Sequence, residues 1–185
     1  MIQAARDLIL TENSFAGFTI DAVAQRAGVA RMTVYYQFKS KRGLLEALLD
    51  ELATRGGMER MAQAFGMPEP KAALGHYFEV FGDFWSSDRE VMRRLRSFSV
   101  LDREFGQGIE VRSQWRRQGA LVLVTRLNEA FGHPHADSLE QAADILFTLT
   151  SFDTFDALAG ENHSPAEMAP ILYGIALAAF GLKTA

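Results

Sequence analysis

The chain has 185 residues, is 48% hydrophobic and 23% charged, and carries a formal net charge of −4. That length suits one domain, or a small module joined to a larger one, and a chain of this size buries roughly 70% of its unfolded surface without a metal or disulfide staple. The absence of cysteine excludes disulfide frameworks, thiolate zinc sites, iron–sulfur clusters and cysteine nucleophiles, while 14 Phe against 5 Pro argue against disorder.

Helical periodicity runs through most of the sequence, and alternating strand patterns are scarce. Ile2, Ala5, Leu8 and Ile9 share one helical face that ends before Phe15. Ile20, Val23, Ala24 and Ala27 form a second, with Thr19 as its N-cap and Gly28 as its stop. A short third helix is expected from about Ala30 to Gln37, and Ser40 caps a fourth whose apolar face is Leu44, Leu45, Leu48, Leu49 and Leu52. After a break from Gly66 to Pro70, the residues Leu74, Tyr77, Phe78, Phe81, Phe84 and Trp85 recur at helical spacing.

The run Ser87 to Glu90 reads as a capping box opening the next helix, and Gly106 and Gly108 precede a long helix to Phe131. The segment Gly132 to His135 breaks it, with His133 and His135 in a solvent-exposed loop, and a helix from about Ser138 to Leu158 follows. A second capping box, Ser164 to Glu167, places Pro165 in the favoured first position. Pro170 then either kinks the last helix or marks a later start. The expected fold class is all-α with about nine helices. The longest uncharged apolar run, Ala169 to Leu182, has fourteen residues, short of the roughly 20 that span a bilayer. The opening MIQAARDLIL lacks the pattern of an export signal, so the expected location is the cytoplasm.

Charge is unevenly spread. Residues 19–45 carry Arg26, Arg31, Lys39, Lys41 and Arg42 against the single acid Asp21, whereas residues 51–185 carry 13 basic and 18 acidic residues. A basic patch on an acidic body suits a local phosphate-binding surface; ordinary surface variation is the plain alternative.

Within this window, two short helices joined at Ala27, Gly28 and Val29 match the helix-turn-helix pattern, in which a glycine permits the tight turn. The second helix is roughly 10 Å long at 1.5 Å per residue, and fits a major groove roughly 12 Å wide. Steps of 100° put Val34 and Phe38 inward and Met32 and Tyr36 outward, flanked by Thr33, Tyr35 and Gln37. Met32 and Thr33 are candidates to touch thymine methyls, Arg31 to reach a guanine or phosphate, and the tyrosine hydroxyls to bond to phosphate. Tyr35 is equally readable as a core residue. Lys41, in the first turn after Ser40, combines an ammonium with a helix N-terminus, and Thr19 tops the preceding helix. Each is a candidate phosphate contact as well as a plain cap residue. Lys39, between the two helices, joins the DNA-binding set.

The segment FAGFTIDAVAQRAGVARMTVYYQFKSKRGLL resembles the DNA-binding signature of the TetR (tetracycline repressor) family of transcriptional regulators. Gly17, Thr19, Ile20, Ala24, Ala27, Gly28, Val29, Thr33, Tyr35, Phe38, Ser40, Lys41, Leu44 and Leu45 all fall at family positions. There are departures. Ala30 stands where Ser or Thr is common, which loses a side-chain cap worth roughly 1 kcal/mol; Met32 stands where the residue is often small; Gly43 stands where it is often acidic. The basic residues that the family carries ahead of its first helix have no counterpart in this sequence. The resemblance implies a helix-turn-helix DNA-binding domain over residues 1–45 and a ligand-binding and dimerisation domain over 46–185. It further implies a homodimer, most often a repressor, on a pseudo-palindromic double-stranded DNA operator. A small-molecule effector would shift the spacing of the two recognition helices.

The sequence supports a dimer on its own account. The stretch from Ala169 to Leu182 is apolar around its whole circumference, with Ile171, Ile175, Ala178 and Leu182 among its residues, and a helix apolar all round is buried all round. The preceding helix opposes Leu139, Ala142, Ala143 and Leu146 to Phe147, Phe152 and Phe155. Two such helices from each subunit make a four-helix interface. For the effector, Phe78, Phe81, Trp85, Phe98, Trp115 and Phe152 are candidate lining residues, although an aromatic stripe at helical spacing also serves as plain core.

Catalysis finds no footing. His76, His133, His135 and His163 are scattered without metal-ligand spacing, and no glycine-rich phosphate loop or nucleophile elbow is present. No catalytic residue, metal or cofactor is expected. Two rival readings share the architecture: a DNA-binding protein regulated by a protein partner, and a helical ligand-binding protein whose basic module is inactive.

Overall fold

The computed structural model describes residues 1–12, 15–132 and 136–183; His133 and His135 lie outside them. Among the described residues the regular structure is eleven α-helices with short 3-10 turns at Phe15–Gly17 and Met58–Arg60. The all-α class read from the periodicity holds. The chain divides into two compact units, Met1–Thr54 with Asp88–Val111, and Arg55–Ser87 with Arg112–Ala185.

The first unit contains α1 (Ile2–Thr11), α2 (Ile20–Ala27), α3 (Arg31–Phe38), most of α4 (Lys41–Arg55), α7 (Arg89–Leu101) and the start of α8 (Arg103–Phe131). The expected boundary at residue 45 thus falls inside α4. Ala5, Leu8 and Ile9 of α1, Val23 and Ala24 of α2, and the five leucines of α4 are buried as their spacing predicts, and Phe18 is enclosed with them. Each large side chain so buried contributes roughly 1.5–3 kcal/mol.

The second unit holds α5 (Met61–Gly66), α6 (Pro70–Ser87), the remainder of α8, α9 (Leu139–Leu149), α10 (Phe152–Ala159) and α11 (Pro165–Ala179). Its core forms between α6, which buries Leu74, Tyr77, Phe78, Phe81 and Trp85, and α11, which buries Leu172, Ala176 and Leu177. No described helix is long and apolar enough to cross a membrane.

Eleven helices replace the nine expected, for two reasons. The short α5 is not legible in the sequence, since six residues show too little helical period; the Arg126 guanidinium donates to the Phe65 carbonyl at 3.0 Å and to the Met67 carbonyl, satisfying its last turn. The helix expected from Ser138 to Leu158 is instead two. Thr150, fully buried, turns its hydroxyl back to the Leu146 carbonyl at 2.9 Å, and its own carbonyl accepts from the Trp85 indole at 3.1 Å. Arg116 donates to the Phe147 carbonyl and, at 3.2 Å, to the Thr150 hydroxyl, and Ser151 caps the new start through the Thr154 N–H. Side chains from α6 and α8 take the carbonyls that a continuing helix would use.

Two further expectations change. The capping box at Ser87 does not form: Asp88 occupies the N-cap of α7 without a capping bond, because its carboxylate is taken by Arg6 of α1. Gly106 and Gly108 lie inside α8 rather than before it, the helix starting at Arg103 where Asp102 accepts from the Phe105 N–H at 2.8 Å. The second capping box does form, at Ser164 and Glu167, and α11 runs from Pro165 through Pro170.

Candidate nucleic-acid interface

Local chemistry builds the helix-turn-helix. Thr19 accepts from the Ala22 N–H at 3.1 Å and opens α2. Gly28 closes it in the left-handed region at φ 64, its N–H returned to Ala24 and Gln25, a conformation glycine adopts without steric cost. The chain then turns through Ala30, which gives α3 no side-chain cap. Val34 and Phe38 of α3 are buried, which fixes the rotation of the helix.

The opposite side of α3 is bare. Tyr36 is 67% exposed, Met32 and Tyr35 are about half exposed, and Thr33 and Gln37 are open. Tyr35, readable either way in the sequence, lies on the surface. Arg31 pairs with Asp21 at 3.3 Å, both side chains well exposed. A pair in that setting is worth about 0–1 kcal/mol, so a phosphate can replace the carboxylate at little cost. Eight residues make α3 about 12 Å long, the width of a major groove.

Lys39 and Lys41 flank Ser40 between α3 and α4. Ser40 accepts from the Gly43 N–H at 3.0 Å and so caps α4. Lys39 is exposed. Lys41 is half-buried with its ammonium 5.8 Å from the centre of the Phe18 ring. Burial holds its pKa below the ordinary lysine range, and Asp102 pushes it back up. Arg42 is engaged with Glu46 at 2.8 Å.

Sequence reasoning missed what holds α1 to α7. Arg6 donates twice to Asp88, and Arg94 donates to the Glu12 carbonyl at 2.9 Å. Both contacts join residues 82 positions apart, so no local pattern could reveal them.

The other candidate residues disperse. Phe81, Trp85 and Phe152 do meet, with ring centroids 5.9 Å apart for Phe81–Trp85 and 5.5 Å for Trp85–Phe152, and Phe78 is buried nearby on α6 beside Tyr173. Trp115 is 70% exposed, and Phe98 belongs to the first unit. Of the interface candidates, Ile171, Ile175 and Ala178 are exposed on one side of α11. Phe147 and Leu182 are partly covered, and Phe155 is fully enclosed within its own subunit.

Two short helices joined by a left-handed glycine, with an apolar inner face and a bare polar-aromatic outer face, define a DNA-binding module attached to a helical body. Residues 1–48 match the family described as bacterial regulatory proteins, tetR family. Over 168 residues the chain is 32% identical to the HTH-type transcriptional regulator EthR of Mycolicibacterium smegmatis, covering 87% of this chain and 75% of that one. Among solved structures, the TetR family regulator PfmR from Thermus thermophilus matches with a TM-score of 0.73 at 14% identity over 96% of each chain. The regulator FadR from Bacillus subtilis, solved in complex with stearoyl-CoA, matches with a TM-score of 0.70 at 16% identity over 96% of each. At those identities the two structures speak for the fold. The chain belongs to the TetR family of transcriptional regulators.

Proposed function

We propose that the protein acts in the cytoplasm as a homodimeric repressor that reads a pseudo-palindromic operator through α3. In this reading residues 1–45 hold the DNA contacts. Arg31, Met32, Thr33, Tyr35 and Tyr36 meet the major groove, and Thr19, Lys39 and Lys41 meet phosphates. The observation that carries it is the bare outer face of α3, aromatic and polar, opposite the buried Val34 and Phe38. Residues 46–185 hold the dimer and effector functions. Ile171, which is 50% exposed, recurs with Ile175 and Ala178 at helical spacing along one side of α11, with Leu182 just past its end, and pairing with a second copy covers that stripe. Phe147 joins it; Phe155, enclosed in its own subunit, does not.

The effector we infer is a long acyl chain carried by a polar head such as coenzyme A. FadR of Bacillus subtilis, with the same fold, was solved with stearoyl-CoA, and the second unit of this chain is filled with the apolar rings of Phe78, Phe81, Trp85 and Phe152. Trp115 and Phe98 remain candidate contacts. The test is selection of bound sites from random DNA duplexes, followed by release assays with stearoyl-CoA and shorter acyl-CoA esters. Two inverted half-sites, a helical turn or more apart, are expected, and stearoyl-CoA should free the DNA. A folded chain that enriches no site overturns the DNA reading. Enrichment without release by any acyl-CoA overturns the effector class alone.

A further inference from the structure

The turn between α3 and α4 holds a backbone arrangement with its own requirement. Lys39, at φ 65, has a positive φ, which among the described residues is otherwise confined to glycines. Its ψ is −35, and the Ser40 N–H donates to the Phe38 carbonyl at 2.7 Å. Lys39 is therefore the centre of the left-handed form of the γ-turn, which is rare and strained for a residue with a Cβ. Such a conformation persists only where its surroundings impose it.

Gly43 is the neighbour that makes room for it. A Cβ at position 43 would lie 2.1 Å from the Phe38 carbonyl oxygen and 3.2 Å from its carbon, inside any allowed contact, and the obstruction is backbone that cannot swing aside. The carbonyl that accepts the γ-turn bond thus fills the space a side chain at 43 would need. The Gly43 N–H is meanwhile held by Ser40 at 3.0 Å, so neither partner can withdraw without losing the cap of α4. The acidic residue that often stands here in the resembling signature is incompatible with this turn on steric grounds, and would set a negative charge beside two lysines.

We infer that Gly43 is a positioning residue for DNA binding: by admitting the Phe38 carbonyl it permits the left-handed turn at Lys39, and that turn presents Lys39 and Lys41 together to the phosphate backbone. The inference rests on the DNA-binding reading above and adds a residue that touches no DNA.

The test uses the full chain and a short mixed-sequence duplex, with affinity measured across a salt series and folding followed by thermal melting. For the wild type, log affinity should fall with log salt by about 0.9 for each phosphate contact. Gly43→Ala removes no charge, yet it should lower the slope by about 1–2 per bound chain and weaken binding roughly tenfold at physiological salt. A folded Gly43→Ala chain with wild-type affinity and slope overturns the inference. If that variant does not fold, Lys39→Gly and Lys39→Ala decide, since glycine takes a left-handed turn without strain, whereas alanine keeps the Cβ strain that Lys39 itself bears. Lys39→Gly should melt several degrees above Lys39→Ala, and equal melting overturns the inference as well. A wild-type chain that binds no duplex at any salt overturns the DNA-binding reading together with this one, an outcome distinct from failure of the Gly43 variant alone.

Discussion

Asp88 is a buried charged residue, its side chain 5% exposed, and its carboxylate is balanced by Arg6. The guanidinium donates from Nε to one carboxylate oxygen and from a terminal nitrogen to the other at 3.0 Å, the two-pronged geometry that suits arginine and a carboxylate. Arg6→Met keeps the aliphatic stem and deletes both bonds, leaving an unpaired buried carboxylate. Breaking a buried pair costs about 3–5 kcal/mol. Arg6 is itself 25% exposed, so water reaches the vacated oxygens and we take about 2–3 kcal/mol. At roughly 2–4 °C per kcal/mol for a chain of this size, melting should fall by about 4–12 °C.

Urea unfolding followed by two signals locates the loss. Both tryptophans, Trp85 and Trp115, belong to the second unit, whereas far-ultraviolet circular dichroism sees both units. In Arg6→Met the dichroism midpoint should drop before the tryptophan signal moves. Asp88→Asn in the same chain should recover part of the loss, since a buried amide costs less than a buried unpaired charge, with a coupling of about 1–3 kcal/mol. A single substitution within about 0.5 kcal/mol of the wild type, or strict additivity in the double variant, refutes the reasoning.

Lys41→Ala should weaken binding to every duplex and lower the salt slope by about 0.9 per chain, while Tyr36→Ala should mainly change which sites are selected; swapped outcomes would reverse the assigned roles. Thr150→Val removes the buried hydroxyl that accepts from Arg116 and donates to the Leu146 carbonyl, and should cost about 1–3 kcal/mol in urea unfolding. Glu167 is held below the ordinary carboxylate range by the Ser164 backbone N–H, with help from the Ser164 hydroxyl and His163. A group depressed by folding stabilises above its unfolded pKa and loses that contribution as pH falls through the folded value. Acid titration should therefore destabilise the wild type more steeply than Glu167→Gln below about pH 4.3, and parallel curves would contradict the capping role.

What the sequence discloses and what it hides divide by range. Thr19, Gly28, Ser40 and the Ser164 capping box are local devices, each complete within a single turn of chain, and each forms as read. The faces of α3 were also legible, because 100° steps alone place Val34 and Phe38 opposite Met32 and Tyr36. The failures are non-local. Ser87 to Glu90 carries a good capping signature, but a carboxylate that can choose between a backbone N–H and a guanidinium in a buried site takes the guanidinium, and Arg6 lies 82 positions away. The break at Thr150 needs Trp85 and Arg116 to take the freed carbonyls, and nothing near Thr150 announces either. Gly43 was visible as a departure from the resembling signature, yet the close approach of the Phe38 carbonyl that gives it meaning depends on a turn no propensity favours.

The charge distribution then bears on how the module discriminates. The +4 of residues 19–45 suggests a basic domain, but the first unit as a whole holds eleven basic and eleven acidic residues. Several of those acids are spent locally: Asp88 on Arg6, Asp21 on Arg31, Glu46 on Arg42 and Glu90 on Arg94. A neutral unit exerts little pull on DNA beyond the screening distance, about 8 Å at physiological salt. If Lys39 and Lys41 meet the phosphates as proposed, attraction is confined to them and a few other cations, and sequence-independent affinity stays low. On the proposed reading, occupancy of a site would then depend on the short-range fit of Met32, Thr33, Tyr35 and Tyr36, so a regulator with this unit would gain selectivity by keeping its general electrostatic attraction weak.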